Sequence, residues 1–191
     1  MINVRLPRTP RGKFLHDLDS ECALLQPPRH GNANWLVLIR LAEWEALRDH
    51  LGAYGCSAIM QAVSDIVSKG LPESQRVLQT FAGEITIVVR DRSEAELDQL
   101  LTRLSRKIVS HRFVAGGEPV RVTPAIGFAA FSEERTSRSG LRCARSALEH
   151  SLAHLDLRPV PFSDLLEQPS VWQEWMIRFG VRRSIRFGVR P

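Results

Sequence analysis

The sequence predicts an α+β domain, a central antiparallel sheet with helices packed on it in the split βαβ manner of ferredoxin-like folds. Three observations predict it. Short apolar runs alternate with longer segments of helical periodicity in the order β-α-α-β-β-α-β-α-β, after an N-terminal helix. Two of the runs, 76–80 and 84–90, are separated by so few residues that they must be antiparallel neighbours. Finally, 43% hydrophobic and 25% charged residues over 191 positions suit one globular domain of ordinary size with a sizeable core.

Each element follows from its residues. Phe14, Leu15, Leu18, Cys22 and Leu25 recur at helical spacing and predict an amphipathic helix over 13–26. The segment PPRHGNAN (27–34) breaks the chain into a loop, and WLVLIRLA (35–42) is short and apolar enough for a buried strand. A helix over 43–55 is expected to end near Gly52, and a second over 57–70 to stop at Gly70. The two short strands at 76–80 and 84–90 follow. SEAELDQLLTRLSRKIVSH (93–111) carries a capping serine, acids in its first turns and bases in its last, the pattern a helix dipole favours. A turn and a strand are expected over 116–131, a helix over 139–155 and a short closing strand at 158–162. The domain is expected to occupy 1–165, with 166–191 as a C-terminal helix and arginine-rich tail.

The net charge of +5 comes from that tail: Arg178, Arg182, Arg183, Arg186 and Arg190 stand there with no acid after residue 175. Without them 21 basic residues balance 21 acidic ones, so the body is neutral and a uniformly basic nucleic-acid surface is not implied. No stretch approaches the roughly 20 apolar residues that cross a bilayer. The basic N-terminus lacks a following apolar run, which argues against a secretory signal. Cys22, Cys56 and Cys143 are odd in number and widely spaced, as expected of reduced thiols in a cytoplasmic protein.

The stretch LQTFAGEITIVV (78–89) places a small turn and one carboxylate, Glu84, between two strands. Around it the chain resembles the GGDEF family, the bacterial diguanylate cyclases that join two GTP molecules into cyclic di-GMP, over roughly residues 5–165. PRGKFLHDL is similar to the family's Asn-Arg-x-x-Phe-Leu opening through Arg11, Phe14 and Leu15. IRLAEWEALRDHLG resembles its Asp-Ile-Asp-x-Phe-Lys-x-Ile-Asn-Asp-x-x-Gly segment, with Trp44 for Phe and with Asp49 and Gly52 kept. FAGEI stands where Gly-Gly-Asp-Glu-Phe is expected, Ile126 and Gly127 match a Ser-Ile-Gly strand, and ARSALEHSL is similar to the Ala-Asp-x-Ala-Leu-Tyr-x-Ala-Lys helix. The resemblance implies a nucleotidyl-cyclase-like fold.

It does not imply the activity. Attack of a 3′-hydroxyl on an α-phosphate needs metal ions held by carboxylate oxygen. The resemblance puts those carboxylates at two positions that are Arg40 and Gly83 here, and a guanidinium there repels Mg²⁺. The two glycines that let the backbone approach a nucleotide are Phe81 and Ala82, the guanine-reading pair is Arg48 and Ser57, and the phosphate-side lysine is Leu152. The inhibitory cyclic di-GMP site falls on Pro72 and Gln75. Arg40, Phe81, Ala82, Gly83 and Glu84 therefore read as vestiges of a site with no catalytic, cofactor or metal-binding role. Arg40 either fills the vacated metal position and pairs with Glu84, or reaches to solvent from the strand end.

Other groups read blandly. His150 and His154 are four apart on a helix but have no third zinc ligand in view, Cys56 and Cys143 read as inert thiols, and AGGEP (115–119) reads as a turn. IRFGVR occurs twice, at 177–182 and 185–190, after Trp172 and Trp175. That segment suits an anionic partner or membrane surface, or is simply a flexible tail. The function expected is a catalytically inactive GGDEF-like module acting through protein contacts, with Phe81, Trp172, Trp175 and the tail arginines as candidate anchors. Phe81 at the hairpin apex either serves as an interface anchor or packs onto the vacated pocket. Partners implied by the resemblance are a cyclic di-GMP phosphodiesterase, a PilZ-type adaptor or a second copy. The rivals are a GTP or cyclic di-GMP sensor without turnover, an active cyclase using Glu84, and a tail-mediated membrane or nucleic-acid binder.

Overall fold

The computed structural model describes residues 10–72, 75–79, 83–131, 137–154 and 158–167. Along the chain, α1 (Pro10–Ala23) precedes β1 (Ala33–Leu41), α2 (Trp44–Gly70), β2 (Arg76–Gln79), β3 (Glu84–Arg92), α3 (Glu94–Ser110), β4 (Phe113–Ala115), β5 (Glu118–Val120), β6 (Pro124–Phe131), α4 (Ser137–His154), β7 (Val160–Pro161) and α5 (Phe162–Glu167). Five strands form one sheet in the order β2-β3-β1-β6-β7, antiparallel at every pairing except β6 with β7. This is the α+β architecture the sequence predicts.

β1 sits in the middle because it is apolar on both faces. Val37, Ile39 and Leu41 meet Ile85, Ile87, Ile126 and Phe128, and this layer packs against Ile59, Val63 and Val67 of α2 and Leu97, Leu101 and Leu104 of α3. The alternate residues Leu36 and Leu38 join Val88, Ala125 and Ala129 under Phe14 and Leu18 of α1 and Ala144, Ala147 and Leu148 of α4. A strand buried on both sides carries a continuous apolar run rather than an alternation, as WLVLIRL does. α4 lies unusually close to β6: a Cβ added at Gly127 would stand 2.0 Å from the backbone nitrogen of Leu148. Glycine there is a spacing requirement.

Two elements differ from expectation. The two helices expected over 43–55 and 57–70 form one element, α2, with Gly52 at φ 65° and ψ −175° inside it. The glycine breaks the helical path, as its position in the sequence suggested, but helical hydrogen bonding resumes at once, so the break is a kink and not a loop. The turn and strand expected over 116–131 are instead a separate hairpin, β4–β5, turning at Gly116 and Gly117, followed by β6. α3 begins as expected, with Ser93 accepting from the Glu96 amide while the Glu96 side chain accepts from the Ser93 amide.

Candidate functional site

The start of β3 lies beside the end of β1 because of the β1–β3 register, which sets Arg40 opposite Glu84. Both residues follow the parity of Leu36 and Leu38, so both emerge on the sheet face covered by α1 and α4. Gly83, just before β3, has φ 75°. A Cβ there would fall 2.2 Å from the Trp44 ring, so the buried indole lies directly on the tip backbone.

Glu84 is buried, with 5% of its surface exposed. Arg145, from the middle of α4, donates from Nη2 to Glu84 Oε1 at 2.5 Å. Arg40 turns the other way and donates from Nη2 to Glu45 Oε1 at 3.1 Å. The second oxygen of Glu45 lies 2.6 Å from Arg48 Nη2, so one carboxylate at the start of α2 bridges two arginines. Asp49 Oδ1 stands 3.9 Å from Arg48 Nε. Glu43 is also engaged, accepting from the Thr123 amide at 2.9 Å where β1 leaves the sheet.

This corrects the expected pair of Arg40 with Glu84. The two are register partners, yet each has another ion-pair partner. α4 passes over the inner part of that sheet face and brings Arg145 down onto the buried carboxylate, while Arg40, one-third exposed at the rim, reaches Glu45 five residues further along. Sequence reasoning missed Arg145 and Glu45. A signal for the first was present: Arg145 occupies the Asp position of the Ala-Asp-x-Ala-Leu pattern that ARSALEHSL resembles, a charge reversal that calls for a nearby acid.

The carboxylate that survives at the tip is thus covered by a guanidinium, and a second guanidinium stands at the strand end. A divalent cation needs several unencumbered oxygen ligands, and these residues do not fit one. Among the described residues no group of three or more histidine, cysteine, aspartate or glutamate side chains is placed to hold a metal. His150 and His154 stack on each other, ring centres 4.0 Å apart, and His154 Nδ1 lies 2.9 Å from the His150 carbonyl oxygen. Burial raises the Cys56 thiol pKa against the opposing pull of Arg48, which keeps the thiol protonated and unsuited to nucleophilic work. Gln75, at one of the expected inhibitory-site positions, accepts from the Arg90 amide at 2.9 Å. Phe81, Ala82, Trp172, Trp175, Arg178, Arg182, Arg183, Arg186 and Arg190 lie outside the described residues.

The family model described as "Diguanylate cyclase, GGDEF domain" matches residues 10–154. The chain belongs to the GGDEF family. Among solved structures it is similar to the GGDEF domain of DgcB from Caulobacter crescentus, in complex with c-di-GMP, at 16% identity and TM-score 0.68 over 78% of this chain and 88% of that one. It is also similar to the active GGEEF domain of a diguanylate cyclase from Vibrio cholerae, at 12% identity and TM-score 0.65 over 78% and 94%. A third likeness is to the diguanylate cyclase SiaD in complex with its activator SiaC from Pseudomonas aeruginosa, at 17% identity and TM-score 0.67 over 83% and 62%. At these identities the likeness is one of fold. No curated protein matches the chain in sequence. Among the described residues, no helix of this GGDEF domain is long and apolar enough to cross a membrane.

Proposed function

We propose that this GGDEF domain does not make cyclic di-GMP and acts in that signalling system as a regulatory module through protein contacts. The observation that carries the reading is the pair at the hairpin tip, Arg145 on Glu84, with Arg40 at the neighbouring strand end. Metal-assisted attack on a phosphate requires acids at the two positions that the resemblance aligns with Arg40 and Gly83.

What remains is a fold with ion-paired side chains, Arg145 with Glu84 and Arg40 with Glu45, beside the ends of two strands. The partner chemistry proposed is that of a cyclic di-GMP phosphodiesterase, a PilZ-type adaptor or another copy of the chain. The likeness to SiaD, a cyclase solved with a protein bound to it, supports the general idea that this fold docks proteins. Residues 1–165 are proposed as the domain and 166–191 as its appendage. α5 lies astride that limit, with Leu165 buried and Leu166 39% exposed.

The test is direct. The full chain, incubated with GTP and Mg²⁺ or Mn²⁺, is expected to yield no cyclic di-GMP by chromatography. Product that disappears in Glu84→Gln would overturn the proposal. Saturable micromolar binding of GTP or cyclic di-GMP without product would replace it with the sensor reading.

A further inference from the structure

We infer that the C-terminal half of α3 and the outer face of the β4–β5 hairpin form a docking surface for an anionic bilayer. The stretch 103–121 holds Arg103, Arg106, Lys107, Arg112 and Arg121 against a single acid, Glu118. All five cations are exposed. None of them forms an ion pair among the described residues, whereas Arg29, Arg40, Arg48, Arg90 and Arg145 all do. The acids of α3, Glu94, Glu96 and Asp98, sit in its opposite half.

A helix dipole accounts for cations in the last turn of α3, but not for Arg112 and Arg121 beyond it. There the pleat decides. Phe113, Ala115 and Val122 turn into the core, so Arg112, Val114, Pro119 and Arg121 face outward. Val114 is 64% exposed and Val109, at the end of α3, 48% exposed. Cations with no ion pair among the described residues alternate with exposed apolar side chains beside the Gly116–Gly117 turn, an amphipathic pattern.

The composition of that face selects its occupant. Single-stranded nucleic acid binds through exposed aromatic platforms, and the one aromatic ring of phenylalanine here, Phe113, is buried with His111 edge-on to it at 4.6 Å. A protein partner is held chiefly by anchors that become fully desolvated in packed pockets, and the apolar residues here, Val109, Val114 and Pro119, stand exposed. A negatively charged leaflet requires only cations and a few apolar atoms, and it adapts its shape to them.

The experiment is co-sedimentation of the full chain with vesicles of phosphatidylcholine alone or with about 30% phosphatidylglycerol, an anionic leaflet of the kind that attracts polybasic surfaces. Each cation at such a surface strengthens binding about five-fold, so Arg112→Gln/Arg121→Gln is expected to bind about 25-fold more weakly. Val114→Asp should weaken it as well, with unchanged circular dichroism in both variants. A chain with its five tail arginines replaced by glutamine is expected to keep the dependence on Arg112 and Arg121. Equal binding to neutral vesicles, or a double variant that binds as wild type, overturns the inference. So does retention by polyglutamate or RNA without retention by anionic vesicles. None of these residues belongs to the hairpin-tip site, so failure here leaves the reading of that site intact.

Discussion

Replacing Arg145 with methionine keeps most of the side chain's packing and removes the charge that covers Glu84. The carboxylate has 5% of its surface exposed and loses the guanidinium that lies 2.5 Å from its Oε1. Breaking a fully buried ion pair costs about 3–5 kcal/mol. Arg145, however, has 47% of its side chain in solvent, which weakens the interaction and lets water reach the carboxylate once the guanidinium is gone. The expected loss is therefore about 1–3 kcal/mol, or roughly 3–10 °C in Tm for a domain of this size. Urea unfolding followed by circular dichroism measures it. Glu84→Gln combined with Arg145→Met should recover part of it, since the amide carries no charge. An Arg145→Met variant that unfolds at the wild-type midpoint, or a double variant no more stable than the single, would refute the coupling.

Three further outcomes are expected. Gly83→Ala forces a left-handed backbone on an L-residue and drives a methyl into the Trp44 ring, so a loss of about 2–4 kcal/mol is expected by urea titration, and no loss would contradict the packing. The Asp91 carboxyl is held below its ordinary 3.8 by the Arg29 amide first, then the Asn32 side chain, with the Arg29 charge adding to both. Its contribution is present above the unfolded value and lost as pH falls through the lower folded one; the deficit of Asp91→Ala at neutral pH should therefore narrow as pH falls below 3.8, leaving the pH-independent cost of alanine at φ 48°. Burial, with Asp19 and Glu21 adding to it, pushes the Cys22 thiol from 9.0 to about 11, so native-state alkylation at pH 8 should run about 100-fold slower than for an unperturbed thiol and recover in urea.

The sheet was legible because its signals are local. The apolar run 35–41 demanded burial on both faces, and the short spacing between 79 and 84 demanded antiparallel pairing, which together set Arg40 beside Glu84. The kink at Gly52 was legible as an interruption but not as one that α2 survives, since that depends on how both halves seat on the sheet. The hairpin β4–β5 was hidden because three-residue strands carry almost no periodicity. The ion pairs were the hardest. Whether Arg40 meets Glu84 or Glu45 is decided by the height and tilt of α4, and those follow from long-range packing rather than from spacing along β1.

That packing has a consequence for recognition. Ala125, Gly127 and Ala129 give α4 no side-chain cushion on β6, and Leu148, whose backbone rests on Gly127, is three residues from Arg145. The guanidinium at the hairpin tip is thus mounted on a helix bolted to the sheet less than one turn away. Whatever molecule settles on this end of the domain meets a face whose charges are already in position, and it gives up little conformational freedom of the domain in binding.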